Sequence, residues 1–559
     1  MPPPPPGATF DRNEARTAMP RAFAAFLGAY PRITPIQAAA FPVLASGRDA
    51  VLVAPAASGK TEAALVPLCE RLLHLPSRAG AGILYVVPTR ALANDIEVRC
   101  RGPAASLRLD LVIRTGDRPT AVADRDVGVL VTTPESFDSL LCRAPRLFSA
   151  LGAAVVDEAH LMDGTYRGDQ LRILFRRLLR GLKRRPQLVA MSATIADPAA
   201  VGRRLFDADA VVVRAGADRP VRIDSAPDAP SAIRALRAAG VTKALVFCNS
   251  RRRVEEVSFA IAAAGIWPRE RVMVHHASLP RREREDVERA FRRWEAGILV
   301  ATTTLELGVD IGDVEPVVLV GAPETSAAFR QRVGRGCRRK AGMVAICVPE
   351  DDADREAFDG IRAALDGGDL PPMPYVPDLS VAVQQAFSTL FGAPRGLRRA
   401  DLLALLAPLG TRGDLSGILD HLVSEGHLES ASGDRLVAST AVMDMGERGR
   451  IHGNIPDGRT VKVVDSATGR VVGEVSAAGL GARAGAADDG TLALGGRSWR
   501  VTGSSGGTGP GAFGRGADHI RVSSAGGVGA PGVAPLFARR AEVGAFHRYL
   551  PERLRRRVR

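Results

Sequence analysis

The sequence predicts an α/β protein: two tandem parallel-sheet domains, then a winged-helix-like module and a small β-rich domain. Three observations carry that reading. Short apolar runs alternate with longer amphipathic segments over residues 21–214, the rhythm resumes over 244–348, and after residues 371–377 the texture changes twice. At 559 residues the chain is too long for one ordinary core. Its 46 % hydrophobic and 24 % charged residues are globular proportions, which excludes disorder throughout.

Taken in order, the proline run 2–6 reads as an extended tail, without the charged-then-apolar order of a signal peptide, and residues 1–20 are expected to be disordered. In the first α/β domain, residues 21–217, the strand-like runs are 50–54, 83–87, 129–132, 153–156 and 188–192. The Pro- and Asp-rich interval 218–230 reads as a linker. The second domain, 218–375, has its runs at 244–247, 272–275, 298–301, 317–320 and 344–348. Over 376–445, Leu402, Leu403, Leu405, Leu406 and Leu409 make one apolar helix. Leu415, Ile418, Leu419, Leu422 and Val423 recur at helical spacing on a second, and 427–439 can turn as a β-wing around Ser432–Asp434. That is the pattern of a small winged helix. Residues 446–545 set short alternating runs between turn pairs such as Asp457-Gly458 and Asp489-Gly490, which predicts a β-barrel-like module. Residues 546–559 read as a basic tail, with five arginines from Arg553 to Arg559.

The net charge is +14, and only five of the 75 basic residues are lysines, at 60, 183, 243, 340 and 462. So strong an arginine bias is the mark of a GC-rich coding background. The charge still calls for a polyanion, nucleic acid or membrane surface, which net charge alone does not separate. No apolar stretch reaches the eighteen or more residues of a spanning helix. The six cysteines lie far apart with no C-x-x-C pair, which fits reduced thiols in a cytoplasmic protein rather than a zinc ribbon or disulfide framework.

The chemistry begins after the first strand. Ala54-Pro55-Ala56-Ala57-Ser58-Gly59-Lys60-Thr61 leads into a helix-like run, the strand–loop–helix context of a phosphate-binding loop. Backbone N–H groups of Ala57, Ser58 and Gly59 would cradle a phosphate, Lys60 would reach the β/γ oxygens and Thr61 would bind Mg²⁺. Asp157 and Glu158 end the strand-like run 153–156, a costly place for charge without a compensating cation. Asp157 is suited to holding Mg²⁺ and Glu158 to orienting or deprotonating an attacking water. An acidic cap on the next helix would look the same, and the phosphate loop upstream decides for the catalytic reading. In the second domain, Arg332, Arg335 and Arg338 recur at three-residue spacing, which would put them on one helix face able to clamp a γ-phosphate.

The ordered set resembles superfamily 2 DEAD/DEAH-box helicases and translocases over about residues 20–350. It runs through Ile33-Thr34-Pro35-Ile36-Gln37, the phosphate loop, Val87-Pro88-Thr89-Arg90-Ala91-Leu92, Thr132-Thr133-Pro134-Glu135, Asp157-Glu158-Ala159-His160 and Ser192-Ala193-Thr194. It continues with Val246-Phe247-Cys248-Asn249-Ser250, then Ala301-Thr302-Thr303-Thr304 through Asp310, and Gln331-Arg332-Val333-Gly334-Arg335. His275-His276-Ala277-Ser278-Leu279, the string from Leu305 to Gly312 and the β-rich tail are similar to the large helicase-related (Lhr) family.

The resemblance implies two RecA-like domains using ATP and Mg²⁺. It implies that Gln37 reads the adenine edge and Asp310 sits near the ribose or γ-phosphate, with Arg335 and Arg338 as arginine fingers. His160, Ser192, Thr194 and Gln331 would couple the ATP site to the nucleic-acid groove. Thr89, Arg90, Thr133, Ser250, Thr302 and Thr303 would touch the phosphates of one strand, a task that reads no sequence. The expected activity is ATP-driven travel, 3′ to 5′, on single-stranded DNA in preference to RNA, with unwinding of DNA or RNA–DNA duplexes in repair or other processing. An RNA-directed helicase and an ATP-gated clamp without processive unwinding stay open. Ala57 stands where the family has glycine; if that position needs positive φ, its methyl costs on the order of 1 kcal/mol and weakens the ATPase. Ala57 and a C-terminal side shorter than that of longer family members favour the clamp.

Overall fold

A computed structural model describes residues 7–55, 58–74, 80–118, 120, 122, 126–193, 197–216, 220–305, 314, 316–323, 326–336, 342–366, 376–454, 460–476, 491–494, 497–504, 507–508, 519–524 and 544–555. Among them, the first α/β domain holds strands β1 (Ala50–Val53), β2 (Ala81–Val86), β3 (Leu111–Arg114), β4 (Val127–Thr132), β5 (Ala153–Val156), β6 (Gln187–Ser192) and β7 (Val211–Arg214). They pair in parallel in the order β3-β4-β2-β5-β6-β1-β7. Helices α1 (Arg12–Ala18), α2 (Pro20–Leu27), α3 (Pro35–Ala45), α4 (Lys60–Leu73), α5 (Arg90–Ser106), α6 (Pro134–Arg143), α7 (Tyr166–Gly181) and α8 (Pro198–Phe206) accompany the sheet. Because side chains alternate along a strand, β1 sends Ala50 and Leu52 into one core cluster and Val51 and Val53 into the other. Both faces are therefore covered, and the central strands read as continuous apolar runs.

The second α/β domain repeats the scheme with β8 (Val221–Ser225), β9 (Lys243–Cys248), β10 (Val272–His275), β11 (Gly297–Ala301), β12 (Val317–Val320) and β13 (Met343–Val348), parallel in the order β10-β11-β9-β12-β13-β8. Its helices are α9 (Ala229–Ala238), α10 (Arg251–Ala263), α11 (Arg281–Arg293), α12 (Ser326–Val333) and α13 (Asp352–Asp366). Next come α14 (Ser380–Phe391), β14 (Leu397–Arg398), α15 (Arg399–Leu406), α16 (Arg412–Ser424), β15 (Leu428–Ala431), β16 (Arg435–Ala438) and α17 (Thr440–Glu447). The β15–β16 hairpin turns through Gly433 and Asp434, both at positive φ, and forms the wing. Helix α14 is buried along its whole length, so its Gln384, Gln385 and Ser388 all need polar partners.

Strands β17 (Thr460–Asp465), β18 (Val471–Ser476), β19 (Thr491–Leu494), β20 (Arg497–Ser504), β21 (Gly507–Thr508) and β22 (His519–Ser524) form one sheet, ordered β18-β17-β22-β20-β19 with β21 on β20. Among the described residues no ladder joins β18 to β19, yet the sheet curls these two strands toward each other. The curl brings Gly473 of β18 against Leu494 of β19, so closely that a Cβ on Gly473 would lie 2.6 Å from a Leu494 methyl.

Four expectations are corrected. Residues 12–18 are helical: Asp11 caps Asn13 and Glu14, Glu14 returns to the Asp11 N–H, and Ala15 and Met19 are buried in the first core. The interval 218–230 contains β8, which completes the second sheet beside β13, and the start of α9. The segment expected as a basic tail packs: Phe546, Leu550 and Leu554 are buried beside Phe387 of α14, because apolar residues punctuate its arginines. Helix α12 stops at Val333, so Arg335 lies in the turn beyond it and not on one helix face with Arg332. The chain divides into two compact units, Met1–Ala217 with Pro372–Pro456 and Glu542–Arg559, and Asp218–Pro371 with Asp457–Ala541. No helix among the described residues is long and apolar enough to cross a membrane.

Candidate functional site

The phosphate loop links β1 to α4. Gly59 caps α4 at φ +86°, a left-handed conformation that suits glycine. A Cβ there would also meet Gln37 Nε2 at 2.5 Å. Gln37 itself closes a capping box on α3 with Thr34, and its Nε2 donates to the Gly59 carbonyl at 3.3 Å. A residue assigned to the base thus also braces the phosphate loop. The Lys60 ammonium is buried and donates to the carbonyls of Ala54 (2.8 Å) and Pro55 (2.9 Å). Ser58 Oγ is buried without a hydrogen-bond partner among the described residues.

Strand order does the rest. β5 lies beside β2, so Tyr85 of β2 reaches the end of β5 and donates its hydroxyl to Asp157 Oδ2 at 2.7 Å. Burial and the Asp157 carboxylate raise the Tyr85 phenol, opposed by the nearby Thr61 hydroxyl. Burial and the neighbouring Glu158 carboxylate push Asp157 up to about 7, against the pull of Tyr85 and Lys60. Glu158 follows at φ +46°, an uncommon and costly conformation for a non-glycine residue, and its Oε2 is buried without a hydrogen-bond partner among the described residues. His160 shares a 2.7 Å hydrogen bond with Ser192 at the end of β6, and burial lowers its affinity for protons. Orphaned buried oxygens around a carboxylate of raised proton affinity are the surroundings that a divalent cation and an anionic ligand would satisfy.

Further along the same sheet, Thr89 caps α5 by accepting from the Leu92 N–H at 3.2 Å, and the exposed Arg90 lies 3.6 Å from Asp117. Thr133 caps α6 and bonds Ser136 at 3.4 Å. In the second unit Ser250 caps α10. Thr302 is buried and hydrogen-bonds Thr304 at 3.3 Å, while Thr303 is exposed. Thr304 in turn bonds His275, whose other nitrogen meets Glu288. Gln331 is buried with its Oε1 lacking a hydrogen-bond partner among the described residues. Arg332 turns inward, donating to Asn249 Oδ1 at 2.7 Å and lying over the Phe247 ring. Ala57, Thr194, Asp310 and Arg338 lie outside the described residues.

Sequence reasoning passed over Tyr85, although a tyrosine inside an apolar strand needs a polar partner for its hydroxyl. It also passed over Arg167 on α7, which reaches Glu135 and the Pro88 carbonyl, and over Asp138, which binds Arg177, Gln384 and Ser388.

Residues 34–201 match the DEAD/DEAH box helicase family, and residues 229–340 match the helicase conserved C-terminal domain. The ATP-dependent helicase Lhr-Core of Methanocaldococcus jannaschii is 29 % identical over 367 residues, 58 % of this chain and 43 % of that protein. The Lhr helicase/probable uracil glycosylase of Mycolicibacterium smegmatis is 30 % identical over 377 residues, 56 % of this chain and 25 % of that protein. The chain therefore spans less than half the length of these curated relatives. Among solved structures, Mycobacterium smegmatis helicase Lhr bound to ssDNA and AMP-PNP superposes with a TM-score of 0.66 at 26 % identity, over 78 % of this chain and 62 % of that one. The DUF1998 helicase MrfA bound to DNA gives a TM-score of 0.70 at 21 % identity, over 90 % and 68 %, a likeness of fold. With both halves of one helicase core matched in order, the chain belongs to the superfamily 2 DEAD/DEAH-box helicases and is similar to Lhr proteins in sequence and in structure.

Proposed function

We propose that the chain is an ATP- and Mg²⁺-dependent translocase that moves 3′ to 5′ on single-stranded DNA and unwinds DNA or RNA–DNA duplexes in repair or other nucleic-acid processing. The observation that carries the reading is the gathering of Lys60, Thr61, Asp157 and Glu158 at the ends of β1 and β5, with His160 bonded to Ser192 beside them. Lys60 exchanges its two carbonyl partners for phosphate oxygens, while the N–H groups at the start of α4 hold the remaining charge. Thr61 and Asp157 would hold Mg²⁺, which when bound neutralises charge on the phosphates. Glu158 accepts the proton of the attacking water, its backbone held left-handed in the turn after β5. His160 and Ser192 pass the state of this site to the loops bearing Thr89, Arg90 and Thr133. Arg335 and Arg338 take the arginine-finger role by resemblance.

The test is nucleic-acid-stimulated ATP hydrolysis beside strand displacement. Lys60→Ala and Glu158→Gln each abolish stimulated hydrolysis; full activity in either refutes the site. Stronger stimulation by RNA than by DNA makes this an RNA-directed helicase. Stimulation without displacement makes it an ATP-gated clamp.

A further inference from the structure

Arg167, in the first turn of α7, lies outside every motif of the ATP site, yet it joins two of the loops assigned to nucleic acid. Its guanidinium donates to both carboxylate oxygens of Glu135, Nε to Oε1 at 2.8 Å and Nη2 to Oε2 at 3.1 Å. Nη1 donates to the main-chain carbonyl of Pro88 at 2.7 Å. Pro88 immediately precedes Thr89, the cap of α5, and Glu135 lies in the first turn of α6, two residues after its cap Thr133. One planar fork therefore fastens the segment carrying Thr89 and Arg90 to the segment carrying Thr133.

The geometry is over-determined. Both charged side chains are about four-fifths buried, at 20 % and 21 % exposure, so neither is a solvated surface charge. Burial alone would raise the Glu135 carboxyl, and the facing guanidinium holds it below its ordinary range instead. Glu135 is backed by Gly453, where a Cβ would stand 3.1 Å from Glu135 Cγ. That backing segment is itself tied down, since Gln170 Nε2 donates to the His452 carbonyl at 2.7 Å. A lysine in place of Arg167 could not keep the two-pronged contact to the carboxylate while reaching the carbonyl, because an ammonium lacks the planar fork of a guanidinium.

We propose that Arg167 is a positioning residue that holds these two loops at the spacing one strand's phosphates require, and so sets the affinity for single-stranded nucleic acid. The inference rests on the translocase reading. Arg167 touches neither nucleotide nor strand in this role; it acts through Thr89, Arg90 and Thr133.

The experiment measures binding of a fluorescent single-stranded DNA by anisotropy with a non-hydrolysable ATP analogue, and ATP hydrolysis as a function of DNA concentration. Arg167→Ala raises the dissociation constant and the half-saturating DNA concentration about tenfold, the equivalent of about 1.4 kcal/mol, while the rate at saturating DNA stays within about twofold. Arg167→Lys recovers part of that loss. Unchanged half-saturation in folded Arg167→Ala overturns the proposal, as does a loss confined to the saturated rate. If Arg167→Ala fails to fold by circular dichroism, Arg167→Lys and Glu135→Gln are judged by the same criterion. A wild-type chain that binds neither DNA nor RNA sinks the translocase reading, and this inference with it. Wild-type binding matched by the variants sinks the role given to Arg167 alone.

Discussion

Replacing Asp138 by asparagine tests what holds the winged-helix module to the first α/β domain. Asp138, on α6, is fully buried and accepts from Arg177 Nη1 (2.6 Å), Ser388 Oγ (2.5 Å) and Gln384 Nε2 (2.9 Å), the last two on α14. The Arg177 side chain is 10 % exposed. Removing one partner of a buried ion pair costs about 3–5 kcal/mol, since the other charge stays buried without compensation. An amide oxygen that keeps one of the neutral hydrogen bonds recovers about 1 kcal/mol. A net loss of about 2–4 kcal/mol remains, and at about 2–4 °C per kcal/mol for a large domain the melting temperature falls by about 4–16 °C. Thermal and urea unfolding followed by circular dichroism measure it. The gap should also depend on pH. Arg177 and its neighbours hold the Asp138 carboxyl below its ordinary range despite burial, so its stabilisation is present above the unfolded carboxylate pKa and is lost as pH falls through the folded value. His452, 3.6 Å from Asp138, is opposed by burial but raised to about 9 by Asp138 and Cys142. Its contribution is complete below the unfolded histidine pKa and disappears as pH rises through about 9. The gap between wild type and Asp138→Asn therefore narrows at both ends. A change under about 1 kcal/mol at neutral pH, or a gap independent of pH, would refute the account of this buried pair.

The remaining predictions concern the ATP site. Tyr85→Phe removes the hydroxyl that stabilises ionised Asp157, so the acid limb of kcat/KM moves to higher pH by up to about one unit; an unmoved limb contradicts the role given to Tyr85. Ser192→Ala breaks the bond to His160 and lowers strand displacement at least about tenfold while nucleotide affinity, read by equilibrium titration, holds; equal loss of both argues against coupling. Ala57→Gly raises kcat/KM if the methyl strains the phosphate loop, and no gain removes that idea.

The candidate site was legible wherever it depends on residues adjacent in the chain. A phosphate loop must join a strand to a helix, so the run from Ala54 to Thr61 announces itself. The carboxylates Asp157 and Glu158 likewise end an apolar strand. Leu415, Ile418, Leu419 and Leu422 revealed a helix by spacing alone, and the structure buries all four. The weakly apolar edge strand β8 escaped notice. It carries exposed Arg222, Asp224 and Ser225 and gains its place by pairing with β13.

By itself, then, the sequence determined the two parallel-sheet domains, their order, the winged module and the place of the candidate phosphate loop, because periodicity and local spacing are written along the chain. Tertiary structure alone decided which distant side chains meet. It set Tyr85 against Asp157 because β2 and β5 are neighbours in the sheet, and it stretched Arg167 between Pro88 and Glu135. It also grouped residues 372–456 and 542–559 with the first α/β domain and residues 457–541 with the second. Such choices follow from strand order and from the need of buried polar groups such as Gln384 and Asp138 for partners, and a partner's position in space is not encoded by its distance in sequence.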